Sequence, residues 1–383
     1  MTAHINTLRP VGNPVLLKKS KLDYRYFATP HVEFYQSGTA ALAAALIAAK
    51  ETRTDTHTKP EVLLPAYACP DLISASLHAG LTPVLIDLTP DSCWMSLETI
   101  ENAITERTVA MIAVRFLGIA EQMTALRTLC QRYDLTLIED SAQGFPTGQA
   151  EKYWQGDLAI LSFGRGKPVN MLGGGAVVIL KPGLKEHLPT PGIIPTSIKA
   201  SAAYASKVTL YNLLIRPFAY GMATRLPGLN VGETVFKPLN QIAGMPETIS
   251  TRLNSNIDYY TRLPNIAPEI HSRLREWSPS ELIDLPGLSH HDFNNPLLRY
   301  PLLVKSASHR DKLYRALSRY GASLMYQRPL YQISGIPSGS INRGLKLPVA
   351  GAFSQQLITI PTHTGVTEAI LDQIFSIIRE IVQ

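Results

Sequence analysis

The chain has 383 residues, 45% hydrophobic and 17% charged, with a formal net charge of +6 and a pI near 9.1. That is enough for two domains, or one large domain with an appendage, around a substantial core. The Lys and Arg residues are scattered rather than clustered, which argues against a nucleic-acid surface, and no uncharged stretch reaches membrane-spanning length. Cys69, Cys93 and Cys130 lack the paired spacing of a disulfide framework or a zinc site, so a reduced, cytoplasmic setting is expected. Arg9, Lys18, Lys19 and Lys21 precede no apolar run, so no signal peptide is read there. The basic balance suits a phosphorylated substrate or cofactor.

In chain order, helical patterns at 39–50, 71–79, 96–105 and 123–133 alternate with apolar, β-rich runs at 61–64, 83–87, 108–114, 135–140, 158–163 and 176–180. This is the pattern of an α/β domain around a largely parallel sheet, whose functional loops gather at the carboxyl ends of the strands. The strands are apolar on both faces, as expected where helices cover both sides. Residues 181–247 are proline-rich and carry an aromatic helical stretch at 204–224. That stretch is read as packed at a subunit or domain interface, with a membrane surface as the lesser alternative. A smaller α+β unit is expected from Thr248, with strands at 299–304 and 357–360, a helix at 308–320 and an amphipathic closing helix at 367–382. The division expected is 1–247 for the large domain and 248–383 for the small one.

Three segments carry chemistry in combination. Ser37-Gly38-Thr39-Ala40-Ala41-Leu42 places a glycine and two hydroxyls at a helix start, where free amides attract an anion; read alone, it is also an ordinary helix cap. Ile138-Glu139-Asp140-Ser141-Ala142-Gln143 ends a strand with a carboxylate and places an amide three residues on. Ser162-Phe163-Gly164-Arg165-Gly166-Lys167-Pro168 ends the next strand and presents a lysine among glycines. Pro168 and Leu161 exclude a P-loop, which needs Ser or Thr after Gly-Lys and a glycine at the other position. A phosphate cradle, an acid and a lysine in this order point to pyridoxal 5′-phosphate, which needs a lysine for its aldehyde, a carboxylate for its pyridine nitrogen and donors for its phosphate.

Taken together, these segments resemble the DegT/DnrJ/EryC1/StrS family of pyridoxal-phosphate-dependent nucleotide-sugar aminotransferases. Further matches are Pro65-Ala66-Tyr67, Ala79-Gly80-Leu81-Thr82-Pro83-Val84 with Asp87, Gly174-Gly175-Ala176-Val177-Val178, Tyr300-Pro301, Pro329-Leu330-Tyr331 and Ile360-Pro361-Thr362-His363. The resemblance implies an aspartate-aminotransferase-like fold of type I: a large domain on a mostly parallel, seven-stranded mixed sheet, plus a smaller C-terminal α+β domain. It implies Lys167 as the covalent anchor and proton carrier, Asp140 as partner of the pyridine nitrogen, and Gln143 beside the ring. Thr39 and Ser162, with backbone from Gly38, would contact the phosphate, and Asn230 would reach the phosphate of a neighbouring subunit. The implied partners are an amino-acid donor such as glutamate, a nucleotide-sugar acceptor and a second copy of the chain. Two departures stand out. Cys69 occupies the place of a ring-packing aromatic, leaving Cys69 and Tyr67 as alternatives, and Val231-Gly232-Glu233 follows Asn230 in place of an aromatic-arginine pair. His363 and Tyr331 are read as structural rather than as lining the sugar pocket. Other readings are a sugar dehydratase of the same family, disfavoured by Lys167 where those enzymes place histidine, and a scaffold protein that has lost turnover.

Overall fold

The computed structural model describes residues 6–29, 31–53, 59–148, 150–225, 234–341 and 346–382. The first half runs β1 (Val32–Tyr35), α1 (Gly38–Glu51), β2 (Glu61–Pro65), α2 (Asp71–His78), β3 (Thr82–Ile86), α3 (Leu97–Ala103), β4 (Thr108–Val114), α4 (Met123–Arg132), β5 (Thr136–Asp140), α5 (Ala150–Tyr153), β6 (Leu158–Ser162) and β7 (Gly175–Ile179). The second runs α6 (Ile198–Leu214), α7 (Pro217–Ala223), α8 (Glu247–Tyr260), α9 (Ala267–Trp277), β8 (Leu282–Asp284), α10 (Leu285–Leu288), β9 (Arg299–Val304), α11 (Ala307–Leu317), α12 (Pro348–Gln356), β10 (Leu357–Pro361) and α13 (Glu368–Val382).

The main sheet has seven strands in the order β1-β7-β6-β5-β4-β2-β3. β3, β2, β4, β5 and β6 are parallel, whereas β7 and β1 are antiparallel to their neighbours. This is the expected mixed α/β sheet. Its strands feed two cores because successive side chains leave opposite faces. Val62, Leu64, Ala110, Ile112 and Ile138 join the layer containing α1, while Leu63, Met111, Ala113 and Leu137 meet α3 and α4. Runs apolar at every position follow directly. α1 is alanine-rich and apolar almost all round, and nine of its residues are buried; a helix of that kind belongs inside, and its small side chains let it lie close to the sheet.

The second sheet, β10-β9-β8, is wholly antiparallel. α13 lays Leu371, Ile374, Phe375, Ile378 and Val382 into the core it shares with β9 and β10. Asp87, just beyond β3, ties the two sheets together by accepting from the amides of Val349 at 3.1 Å and Ala350 at 2.7 Å, the first turn of α12.

Between the sheets, the helical stretch expected at 204–224 is two helices, α6 and α7, parted at Ile215-Arg216 before Pro217, which has no amide to continue the first. α8 lies against the far face of β6 and β7, with Ile249, Leu253 and Ile257 beside Ala159, Leu161 and Val178. Its polar side chains grip the extended N-terminal segment: Asn256 exchanges hydrogen bonds with Leu16, Ser255 with Ser20, and Asn254 receives the Asp23 amide.

Candidate active site

Four parallel strands end around one cavity. Its wall is formed by Ala68, Cys69 and Leu72 after β2, by Val114 and Phe116 at the end of β4, and by Asp140, Ala142 and Gln143 at the end of β5. Lys167 follows β6, and Tyr326 enters from the C-terminal region. The carboxyl ends of parallel strands are where such a sheet places ligands, and the acid, the amide and the lysine expected from the sequence all face this space.

Glu139 and Asp140 show how the strand sorts two adjacent acids. Glu139 turns away from the cavity and is wholly buried, paired with Arg115 Nη2 at 2.5 Å and accepting the Gln155 amide at 2.8 Å. Arg115 also donates to the Tyr153 carbonyl at 3.0 Å and lies 4.0 Å from the centre of that ring. Asp140 faces the opposite way, into the cavity, and accepts the Ala142 amide at 2.9 Å. Burial pushes its carboxyl above the usual range, against the opposing pull of that amide and the positive charge of Lys167. Gln143 is held at both ends of its amide: Oε1 accepts from Leu117 N at 2.8 Å, and Nε2 donates to the Tyr326 hydroxyl at 2.9 Å.

At the cavity's edge, Ser37 caps α1 through the Ala40 amide. Gly38 lies so close to β6 that a Cβ there would come within 2.6 Å of Ser162 Cβ and 2.8 Å of its Oγ. Only glycine permits that approach. It brings the start of α1 and the hydroxyl of Ser162 onto one surface. Thr39 is one residue further along, and its hydroxyl donates to Asp71 Oδ2 at 3.0 Å.

Between the two alternatives for the ring position, it is Cys69 that borders the cavity. Burial pushes its thiol up to about 12, so the side chain is a neutral, polarisable surface. Tyr67 instead packs among Phe116, Tyr326 and Phe353, and its hydroxyl donates to the Tyr326 carbonyl at 2.7 Å. Asn230 lies outside the described residues. His363 is outside this cavity: its Nε2 bonds the Arg9 carbonyl at 2.8 Å, its Nδ1 accepts the Gly365 amide, and burial, then the nearby Arg9 charge, push it down to about 4. Tyr331 donates to the Leu347 carbonyl at 3.3 Å. Two residues not singled out from the sequence belong here, Tyr326 in the wall and Asp71 at the edge; the nearest signal for Tyr326 was its place three residues before Pro329-Leu330-Tyr331.

This donor set fits a ligand with an aldehyde, a basic ring nitrogen and a phosphate: a buried acid, a lysine on the same cavity, and a helix start flanked by hydroxyls. Among the described residues, no group of His, Cys, Asp and Glu side chains is placed to hold a metal ion.

The chain is 24% identical over 362 residues to dTDP-3-amino-3,4,6-trideoxy-alpha-D-glucose transaminase of Micromonospora megalomicea, covering 94% of this chain and 87% of that protein. It is 23% identical over 376 residues to dTDP-4-amino-4,6-dideoxy-D-glucose transaminase of Shigella dysenteriae, covering 97% and 91%. Among solved structures, PseC of Helicobacter pylori, an aminotransferase involved in the biosynthesis of pseudoaminic acid, superposes with a TM-score of 0.69 at 18% identity, covering 98% of this chain and 99% of that one. NtdA from Bacillus subtilis, solved with bound cofactor PMP, gives 0.67 at 18% identity over 95% and 78%. The sequence pattern of one family extends from residue 23 to residue 379, through both sheets and every strand-end that borders the cavity, so the chain belongs to the DegT/DnrJ/EryC1/StrS aminotransferase family.

Proposed function

We propose that the chain moves an amino group from an amino acid, glutamate in the first instance, to a nucleotide-linked keto-sugar, with pyridoxal 5′-phosphate held at this cavity. The product would serve surface-polysaccharide or secondary-metabolite sugar synthesis in the cytoplasm. The observation that carries the reading is that Asp140, at the end of β5, and Lys167, in the loop after the adjacent parallel β6, face one cavity.

When bound, the cofactor supplies an aldehyde that condenses with amines and a ring that accepts electrons from the substrate's α-carbon. The chain's own groups have separable tasks. Lys167 Nζ is the covalent anchor and, once released, carries the proton to and from the donor's α-carbon. Asp140, fixed by the Ala142 amide, holds a proton on the ring nitrogen; a buried carboxylate with few other partners favours a cation beside it. Cys69 and Gln143 bound the space for the ring. Ser162, Thr39 and the backbone at Gly38 form the anion cradle. A phosphorylated acceptor is supported by a second cleft of about 920 Å³, which includes Arg225, Arg319 and Arg328 and reaches Met325 and Gln327, on either side of Tyr326. Arginine forks suit phosphate recognition.

The test is spectroscopic. Purified protein should carry or take up the cofactor with a visible absorption band, borohydride should fix it to Lys167 by peptide mass spectrometry, and Lys167→Ala should lose the fixed adduct. Addition of glutamate should convert the spectrum to that of the pyridoxamine form. A loaded protein inert to glutamate and other amino acids points to the dehydratase or scaffold reading, and absence of uptake overturns the enzyme reading.

A further inference from the structure

The start of α1 contains a contradiction in charge. Thr39, one of the hydroxyls offered to an anion, donates instead to a carboxylate, Asp71 Oδ2, at 3.0 Å. Asp71 is the first residue of α2, the position after Pro70, and its carboxylate is turned across to α1. Asp71 is two residues beyond Cys69, which borders the cavity. The negative charge is felt inside the cavity as well: Asp71 is among the groups that oppose ionisation of Cys69, Asp140 and Tyr326.

We propose that Asp71 is an affinity-setting residue for the cofactor: it competes for the Thr39 hydroxyl and places a like charge beside the phosphate, so that the cradle retains the phosphorylated cofactor weakly. The inference rests on the pyridoxal-phosphate reading of the cavity. A phosphate carries between one and two negative charges near neutral pH. Its entry requires Thr39 to exchange a carboxylate partner for a phosphate oxygen. The carboxylate then remains near a second anion, with the dipole of α1 and the hydroxyl of Ser162 as the compensating groups. Asp71 is exposed and the site lies at the protein's edge, so solvent screens the repulsion without abolishing it. Occupancy would then follow the cofactor's concentration rather than being permanent.

Apoprotein titrated with pyridoxal 5′-phosphate and, separately, with pyridoxal, both followed by tryptophan fluorescence, isolates the phosphate contribution. Asp71→Asn keeps the shape and an oxygen for Thr39 but removes the charge. It should bind pyridoxal 5′-phosphate about tenfold more tightly than the wild type, the size expected for one partly screened like charge, and bind pyridoxal unchanged. Thr39→Val should weaken the phosphate form alone, which establishes that the hydroxyl belongs to the cradle. Unchanged or weaker binding of pyridoxal 5′-phosphate by Asp71→Asn overturns the proposal. An equal gain for both compounds also overturns it, because the effect then lies on the ring pocket. Wild-type protein that takes up neither compound removes the cofactor reading itself and the proposal with it.

Discussion

Single side chains in this molecule are set by which way a strand or loop turns them. Asp140 and Glu139 are neighbours, yet one faces the cavity and the other closes against Arg115 behind the sheet. Glu121 is another buried acid, and no cation among the described residues is paired with it. Its carboxylate accepts the amides of Gln122 and Met95, both at 3.2 Å, and burial pushes it up to about 8. It is therefore protonated in the folded state where the unfolded chain releases the proton. Its contribution to stability is complete below the unfolded value of 4.5 and declines as pH rises to about 8. His363 has the opposite sign: pushed down to about 4 from 6.5, it contributes fully above 6.5 and loses that contribution as pH falls. The two slopes offset one another between 4.5 and 6.5, leaving Glu121 to act alone of the pair above 6.5. Stability is expected to fall by roughly 2 kcal/mol from pH 6.5 to 8 on this account. Urea unfolding across that range should show the decline in wild type and its near absence in Glu121→Gln; identical slopes in both would assign the decline to another group. The places of Asp140 and Ser162 at strand mouths were legible in the sequence because each is a polar residue ending an apolar strand, and Lys167 follows in the loop after β6. Asp71 and Tyr326 were not, because tertiary approach alone brings Thr39 to a carboxylate 32 residues away and Gln143 to a phenol 183 residues away.

Elements were readable where burial and periodicity coincide. The runs at 108–114 and 299–304 are strands over the whole of the expected range, because the second is buried throughout and the first at every position but Val114, which is half-buried. α8 escaped because Asn254, Ser255 and Asn256 interrupt its apolar face; those residues are spent on the N-terminal segment, a partner that the local pattern cannot name. β1 escaped for a related reason: it is four residues long and exists by pairing antiparallel with β7 at the sheet's edge. Asp87 marks the corresponding joint between sheets. With both oxygens committed to α12 and the Leu88 amide, Asp87→Ala removes a cap and leaves buried amides unpaired. Loss of a helix cap costs about 1–2 kcal/mol, and the unpaired amides place this substitution at or above the upper end. Urea unfolding should show the loss, and hydrogen exchange should place it first in α12. A substitution without effect on either would remove Asp87 as the tie between the sheets.

At the scale of the whole molecule, the surface carried by α6 and α7 stands apart. α6 buries only Val208, and it presents Leu210, Leu213 and Leu214 to the outside beside Phe218 and Met222 of α7. No helix among the described residues is long and apolar enough to cross a membrane. α6 is anchored by polar bonds, Asn212 to Val15 and Tyr204 to the Met171 carbonyl, and these apolar side chains are left exposed. Large apolar side chains exposed together on a surface mark a site of interaction. The helix was legible as apolar in the sequence, but which face it turns outward follows only from those anchors. A second copy of the chain is the occupant that the family resemblance implies. On that basis the protein should run as a dimer by light scattering coupled to gel filtration. Leu213→Glu with Phe218→Glu puts two like charges on each side of a two-fold contact and should shift the population to monomer, with unchanged far-ultraviolet circular dichroism. A dimer that survives both substitutions would put its interface on another face, and a wild-type monomer would leave α6 and α7 outside any contact between copies.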